Sequence, residues 1–330
     1  MKAAVYTNYG PPDVVEIAEV EKPVPKDDEV LIKVQAASVN PYDWHFMRGL
    51  PYPLRIVAGL RKPKNQRLGA DVAGVIEAVG KNIKLFKPGE EVFGAGRGAF
   101  AEYVCAAECK LALKPKNVTF EQAASAPIAG LTALQGLRRG GLTEKSQTES
   151  RQKVLINGAG GGVGTFAVQI AKAFGAEVTG VCSTGKVEMV RSIGANYVID
   201  YTKENFTQGG RRYDLILDCA ANQSLSAFRR VLSPKANYSI VGAADASGGW
   251  MIGMLSRLLG AMALSWFGSR KLVFVGAKIS KVDLAMLGEL INTGKVIPVI
   301  DRRYSLRELP EAIRFLETGH ARGKSVLIVG

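Results

Sequence analysis

Apolar and polar positions alternate over short stretches at the start of the chain, in AAVYT, EVLIKVQAASV, ADVAGVIEAVG, EEVFGA and AFAEYVCA, with Pro, Gly and Asp in the gaps. A period of two bounded by turn residues predicts half-buried strands, so the chain reads as all-β to about residue 106. At Thr119 the texture changes. TFEQ has the spacing of a capping box, and EQAASAPIAGLTALQGLRR carries apolar residues at helical intervals despite its internal Pro127. A domain boundary near residue 120 follows.

Beyond the polar stretch GLTEKSQTESRQ, strand and helix patterns alternate: KVLIN, VGTFAVQIAKAFG, EVTGVC, VEMVRSIG, YVID, YDLILDCA, SLSAFRRVL and NYSIVGA, with LVFVGAK as a sixth strand. Such alternation calls for parallel strands joined by right-handed helical crossovers. Six of them in two mononucleotide-binding halves make a doubly wound α/β sheet. The tail reads as a helix (VDLAMLGELINTG), a strand (VIPVI), a Ser305-capped helix (SLRELPEAIRFLETG) and a closing strand (KSVLIV).

Composition fits this reading. With 330 residues, 47% apolar and 22% charged, the chain exceeds one comfortable core and is not disordered. The net charge of +13 is compatible with nucleic acid, an anionic membrane or an anionic cofactor. Its densest groups (Arg55, Arg61, Lys62, Lys64, Arg67; Arg211, Arg212) read as solvated loops rather than a nucleic-acid face. Cys105, Cys109, Cys182 and Cys219 form no CxxC pair and lie in or beside apolar runs, as buried reduced thiols do. Met1 leads directly into AAVYT without a charged or apolar leader, so the expected compartment is the cytoplasm.

The most informative stretch is KVLINGAGGGVGTFAVQIAKAFGAEVTGVC, where a buried strand runs into Gly158, Gly160, Gly161, Gly162 and Gly164 and on into an apolar helix. Glycines there permit a tight turn, close approach to a pyrophosphate and tight helix packing, and the helix N-terminus offers unpaired N–H groups to the anion. The reading is a Rossmann dinucleotide site containing Gly160, Gly161, Gly162, Val163 and Gly164; its place in mid-chain disfavours FAD. NAD binders put an Asp or Glu at the end of the second strand, against the ribose hydroxyls. This chain has CSTGK there, so Ser183, Thr184 and Lys186 are expected to meet a 2′-phosphate, and the expected cofactor is NADPH. Tyr201, after the third strand, is a further contact, and the alternative for Ser183, Thr184 and Lys186 is an ordinary solvated loop.

ASVNPYDW, MRG, ADVAGVIEAVG, KPGEEVFG with AFAEYV, AGLTALQGL, AGGGVG, RSIGANYVIDY and GHARGKSVLIV occur in that order. In these words the chain resembles the zinc-free quinone oxidoreductase branch of the medium-chain dehydrogenase/reductase superfamily. NPYDW, AGLTALQGL and GHARGK are most similar to chloroplast envelope quinone oxidoreductase homologues and their bacterial relatives. The resemblance implies an α/β protein with a GroES-like β-barrel substrate domain (1–120), a Rossmann NADPH-binding domain (121–280) and a C-terminal return to the first (281–330). It also implies homodimers joined through the last Rossmann strand. Positions that hold zinc in metal-bearing relatives match Asn40, Ala70 and Ala129, which cannot ligate it, and His45 and His320 are the only histidines, so no metal is expected.

Without a Lewis acid, the acceptor must be activated already, as a quinone or an α,β-unsaturated carbonyl is; hydride transfer to it leaves a delocalised oxyanion that needs hydrogen-bond donors. The resemblance sets Asn40 beside the nicotinamide, and Tyr42, Arg48 and Tyr52 are candidates to face the acceptor, with a structural Asp43–Arg48 ion pair as the alternative for that pair. It carries Gly130 and Thr132 to the nicotinamide side, Val241, Gly242 and Ala243 to the cofactor edge, and makes Arg322 and Lys324 further cofactor contacts; His320 braces the terminal turn. Trp250, Met254, Leu258, Met262 and Trp266 repeat at helical spacing in a segment too interrupted to span a membrane. It reads as dimer packing, an apolar wall for a lipid-derived ketone or ketol, or a peripheral membrane contact. A rival from another class is a non-catalytic NADPH-binding structural or RNA-binding protein.

Overall fold

The computed structural model describes residues 1–144, 151–241 and 271–330. The chain divides into two compact units, Met1–Leu131 with Ile279–Gly294 and Pro298–Gly330, and Thr132–Lys278 with Lys295–Ile297. The first holds strands β1 (Lys2–Val5), β2 (Glu16–Glu19), β3 (Glu29–Ser38), β4 (Asp71–Val79), β5 (Glu91–Ala95), β6 (Tyr103–Ala107) and β7 (Leu111–Leu113). The second holds β8 (Lys153–Asn157), β9 (Glu177–Cys182), β10 (Tyr197–Asp200), β11 (Tyr213–Asp218), β12 (Leu232–Val241) and β13 (Lys271–Val275). The chain then returns to the first unit with β14 (Ile300–Ser305) and β15 (Lys324–Ile328).

In the first unit, seven strands run in the order β14-β15-β3-β4-β5-β7, with β6 also on β3. Val30, Ile32 and Val34 occupy alternate positions of β3 and pack with Val72, Ile76, Val92 and Val104 in a sealed core, as the period of two requires. A second core joins α1 (Pro41–Arg48) to the helix Leu309–Glu317 through Trp44, Met47, Leu309 and Ile313, with Leu327 of β15 beneath them. Pro41 sits at the start of α1, where its missing N–H costs nothing, and Gly49 ends the helix in the left-handed region at φ 60°. After a short α2 (Leu54–Ala58), the predicted helix around Pro127 proves to be two, α3 (Phe120–Ala124) and α4 (Pro127–Arg139). Pro127 opens the second, since it cannot donate back into the preceding turn.

The second unit is a six-stranded parallel sheet in the order β10-β9-β8-β11-β12-β13. This is the doubly wound order, and its reversal point lies between β8 and β11. Both faces of the central strands are covered: Val154, Leu155 and Ile156 and likewise Leu215, Ile216 and Leu217 have no exposed surface. The first crossover is α5 (Gly162–Ala173) and the second includes α6 (Val187–Ser192).

Two local expectations are corrected. VIPVI is not a strand; pairing begins at Ile300 opposite Lys324 and runs on through polar IDRRYS, because Pro298 has no N–H to give the ladder. Cys109 is exposed on a short 3-10 turn rather than buried, whereas Cys182 is buried and all four thiols are free. No described helix is long and apolar enough to cross a membrane. Gly242, Ala243 and the segment from Trp250 through Met254, Leu258 and Met262 to Trp266 lie outside the described residues.

Candidate active site

The turn after β8 is shaped by contacts that an added Cβ would break. Gly158 takes φ 81°, and its N–H and that of Ala159 both donate to Val181 O of β9, at 3.1 and 2.9 Å. A Cβ on Gly164 would lie 2.1 Å from Gly158 O and 2.7 Å from Ala159 Cα, so the first turn of α5 rests directly on the strand-to-helix bend. Gly161 differs. A Cβ there would meet nothing nearer than Gly158 O at 3.5 Å, so the protein's own packing leaves that side open. The N–H groups of Gly162, Val163 and Gly164 begin α5, where a helix has no internal acceptors for them. An open side over a helix N-terminus is a cradle for an anion, and it fits a dinucleotide pyrophosphate.

Lys186 belongs to the same cradle. Its aliphatic carbons cover Gly160, where a Cβ would come within 2.6 Å of Lys186 Cδ. Ser183 precedes the 3-10 turn Thr184–Lys186 at the end of β9. Thr184 is engaged differently from the expectation: its hydroxyl donates to Asp200 Oδ2 at 2.6 Å and lies 2.9 Å from that of Thr202. The Asp200 carboxyl, which pairs in register with Cys182, is held below the usual range first by that Thr184 bond and then by Thr202. A carboxylate therefore does lie beside this corner, supplied by the third strand rather than the second, and the sequence reading missed it. Tyr201 is 51% exposed. Val241 ends β12 as a buried residue opposite Val275.

In the first unit, β3, β4 and β15 converge on Asn40. Its Nδ2 donates to Ser38 O at 3.1 Å and Asp71 Oδ2 at 2.9 Å, and its Oδ1 accepts from Lys324 Nζ at 2.5 Å. Asp71 also accepts from Ser38 Oγ at 2.8 Å and the Ile128 N–H at 3.0 Å. Lys324 Nζ reaches Val39 O at 3.1 Å and stands 3.9 Å from Asp71 Oδ2. Asn40, Asp71 and Lys324 are 1%, 0% and 4% exposed, so this is a sealed polar cluster. Burial pushes the Asp71 carboxyl up and the Lys324 ammonium down, and their mutual attraction opposes both shifts.

The same contacts show how the other candidate residues are engaged. Both amide hydrogens of Asn40 are taken, so it has none to give an oxyanion. Lys324 is committed to the interior of its own unit. The Asp43–Arg48 pair does not form: Asp43 Oδ2 accepts from the Asn40 N–H at 2.8 Å, and Arg48 grips Glu317 with two bonds of 2.5 and 2.8 Å. Burial, with Asp71 nearby, pushes the Asp43 carboxyl up to about 7. Gly130 has a packing reason of its own, since its bare face admits Leu287 Cδ2, which a Cβ would meet at 2.6 Å. Thr132 is buried, at 7% exposure. Arg322 is exposed, with its N–H on Asp301 at 2.8 Å, and His320 is exposed as well. The hydroxyls of Tyr42 and Tyr52 remain, 41% and 67% exposed at the residue level, and the Tyr42 ring lies 4.4 Å from that of Phe46. Burial raises the Tyr42 hydroxyl, with the Asp43 charge adding to it, so it holds its proton.

A zinc site does not fit these residues. Asn40, Ala70 and Ala129 offer one fully bonded carboxamide and two methyl groups, and no cluster of three or more His, Cys, Asp or Glu able to hold a metal occurs among the described residues.

Comparison with known proteins agrees with this architecture. Residues 26–116 match the alcohol dehydrogenase GroES-like domain and residues 193–327 the family model described as zinc-binding dehydrogenase. The chain is 36% identical to the NADPH-dependent alkenal/one oxidoreductase, chloroplastic, of Arabidopsis thaliana, over 99% of this chain and 79% of that protein. It is 32% identical to the chloroplast envelope quinone oxidoreductase homolog of the same plant, over 99% and 98%. The solved quinone oxidoreductase of Coxiella burnetii superposes with a TM-score of 0.83 at 28% identity, covering 100% of this chain and 99% of that one. The chain belongs to the medium-chain dehydrogenase/reductase superfamily, in its quinone oxidoreductase branch.

Proposed function

We propose that the protein is an NADPH-dependent, zinc-independent reductase of quinones or α,β-unsaturated carbonyl compounds. The observation that carries the reading is the open side of Gly161 over the first turn of α5, with Lys186 folded against Gly160, while the carboxylate of this corner, Asp200 of β10, is engaged by Thr184 and Thr202. Names of relatives point the same way, one specifying NADPH and alkenals or enones and another quinones.

When bound at that turn, NADPH would be the hydride source for an electron-poor carbon of the acceptor. The α5 N–H groups would hold the pyrophosphate, and Ser183 and Lys186, with Tyr201 beside them, would hold the 2′-phosphate; Thr184 steadies the corner through Asp200. On the acceptor side, Asn40, fixed by Asp71 and Lys324, caps and anchors the helix that carries Tyr42. Tyr42 is the residue we assign to the oxyanion: its hydroxyl carries a proton, and no partner for it occurs among the described residues. Proton transfer to the oxygen from Tyr42 or from solvent completes the reduction.

Turnover of NADPH with a water-soluble quinone and a short enone, before and after dialysis against a metal chelator, tests this. Rates that survive dialysis support it, and rates that vanish and return with zinc contradict it. Tyr42→Phe should lower kcat by about tenfold to hundredfold with little change in the KM for NADPH. An unchanged kcat removes Tyr42 from the chemistry. We further infer a homodimer, supported by β13, which is paired on one side only within its described sheet. Sedimentation velocity decides the dimer.

A further inference from the structure

The segment between α1 and β4 holds an exposed apolar surface that the proposed reaction does not use. Ile56, Val57 and Leu60 are 70%, 74% and 72% exposed, and Ile56 and Leu60 stand four residues apart at α2 and just beyond it. A flexible loop can expose such residues without consequence, but this one is pinned from beneath. Arg55 Nε donates to Gly49 O at 3.0 Å, with the Tyr9 and Tyr52 rings 4.5 and 5.1 Å from its guanidinium carbon. Tyr9 Oη donates to Gly59 O at 2.6 Å, and the Lys64 N–H to Ala58 O at 2.7 Å. Large apolar side chains held outward by a fixed scaffold call for an apolar medium to cover them.

The surrounding charge says which medium. From Trp44 to Ala70 there are six Lys and Arg residues and no Asp or Glu. Arg48 is taken by Glu317 and Arg55 by the scaffold just described. Arg61, Lys62 and Lys64 follow Leu60 directly, are exposed, and have no ion-pair partner among the described residues. An apolar tip next to unpaired cations matches a bilayer interface, where side chains enter the acyl boundary and cations meet anionic headgroups.

We propose that residues 56–64 are a peripheral docking site for an anionic lipid bilayer, with Ile56, Val57 and Leu60 entering the interface and Arg61, Lys62 and Lys64 on the headgroups. The inference is independent of the enzymatic reading. The full chain should co-sediment with vesicles of phosphatidylcholine and phosphatidylglycerol at low salt, much less at high salt, and hardly with phosphatidylcholine alone. Arg61→Ser/Lys62→Ser/Lys64→Ser should weaken binding roughly hundredfold, at about fivefold per cation. Ile56→Ser/Val57→Ser should weaken it at both salt concentrations and leave turnover of a water-soluble quinone unchanged. Circular dichroism matching that of the parent checks that both variants fold. Three results overturn the proposal: no retention on anionic vesicles, retention that neither variant weakens, or loss of vesicle binding together with a change of oligomeric state on Ile56→Ser/Val57→Ser, which would make the occupant a second copy.

Discussion

The glycine turn after β8 and the cluster around Asn40 both hold polar groups ready in a buried setting, and they do so by opposite means. The turn is built from backbone: consecutive glycines bring N–H groups to a helix start, and no charged side chain needs to be buried. The Asn40 cluster is built from side chains, with an ammonium and a carboxylate sealed beneath one amide. Backbone donors are fixed by the fold and tolerate changes that respect the local sterics. A buried charged network tolerates only paired changes, because each member removed leaves the others unsatisfied.

The largest effect separating the two regions is expected at Lys324. Lys324→Met leaves Asp71 buried without its cation and should cost about 3–5 kcal/mol of stability. Adding Asp71→Leu should recover a large part of that loss. Thermal melts of the single and double variants check this, and additive losses would show that the pair is not coupled. Next comes Gly164→Ala, whose new methyl meets the backbone of Gly158 and Ala159; it should destabilise by about 3 kcal/mol. Gly161→Ala should leave the melting temperature nearly unchanged and weaken NADPH binding at least tenfold, measured by the cofactor's fluorescence. Equal behaviour of the two glycine variants would erase the distinction between a packing glycine and a cradle glycine.

A smaller change is expected at Lys186. Lys186→Ala should weaken NADPH binding by about 1.5–3 kcal/mol, the range for a hydrogen bond to a charged group, and leave NADH binding almost untouched. The smallest is a pH effect at Asp43. Burial holds its folded carboxyl at about 7, above the roughly 4 of an unfolded chain, so its contribution to stability is complete below about pH 4 and is lost as pH rises through about 7. Asp71 and Lys324 face it and modulate the transition. Asp43→Asn, which cannot ionise, should therefore gain on the parent protein as melts move from pH 5 to pH 8. A pH-independent difference would mean that Asp43 keeps an ordinary carboxylate.

The same contrast explains what was legible in the sequence. The turn is contiguous, so the strand, glycines and helix of KVLINGAGGGVGTFAVQIAKAFG declare it by themselves, and so does the alternation that makes a doubly wound sheet. The Asn40 cluster draws on the end of β3, the start of β4, the first turn of α4 and the start of β15. Nothing local in ADVAG or GKSVLIV says that Asp71 and Lys324 meet one amide. The signals were a carboxylate and an ammonium beside runs of apolar strand residues, which is unusual for positions about to be buried. The Thr184–Asp200 bond was hidden likewise, because the register of β9 against β10 is not a local property.

The most direct test of the central claim is the loss of near-ultraviolet absorbance as NADPH or NADH is consumed with a quinone or an enone. Turnover is expected with NADPH, and at least tenfold slower turnover with NADH at equal subsaturating concentration. Equal rates with the two cofactors would contradict the reading of Ser183 and Lys186, and tight NADPH binding with no turnover on either acceptor would contradict the enzymatic reading itself.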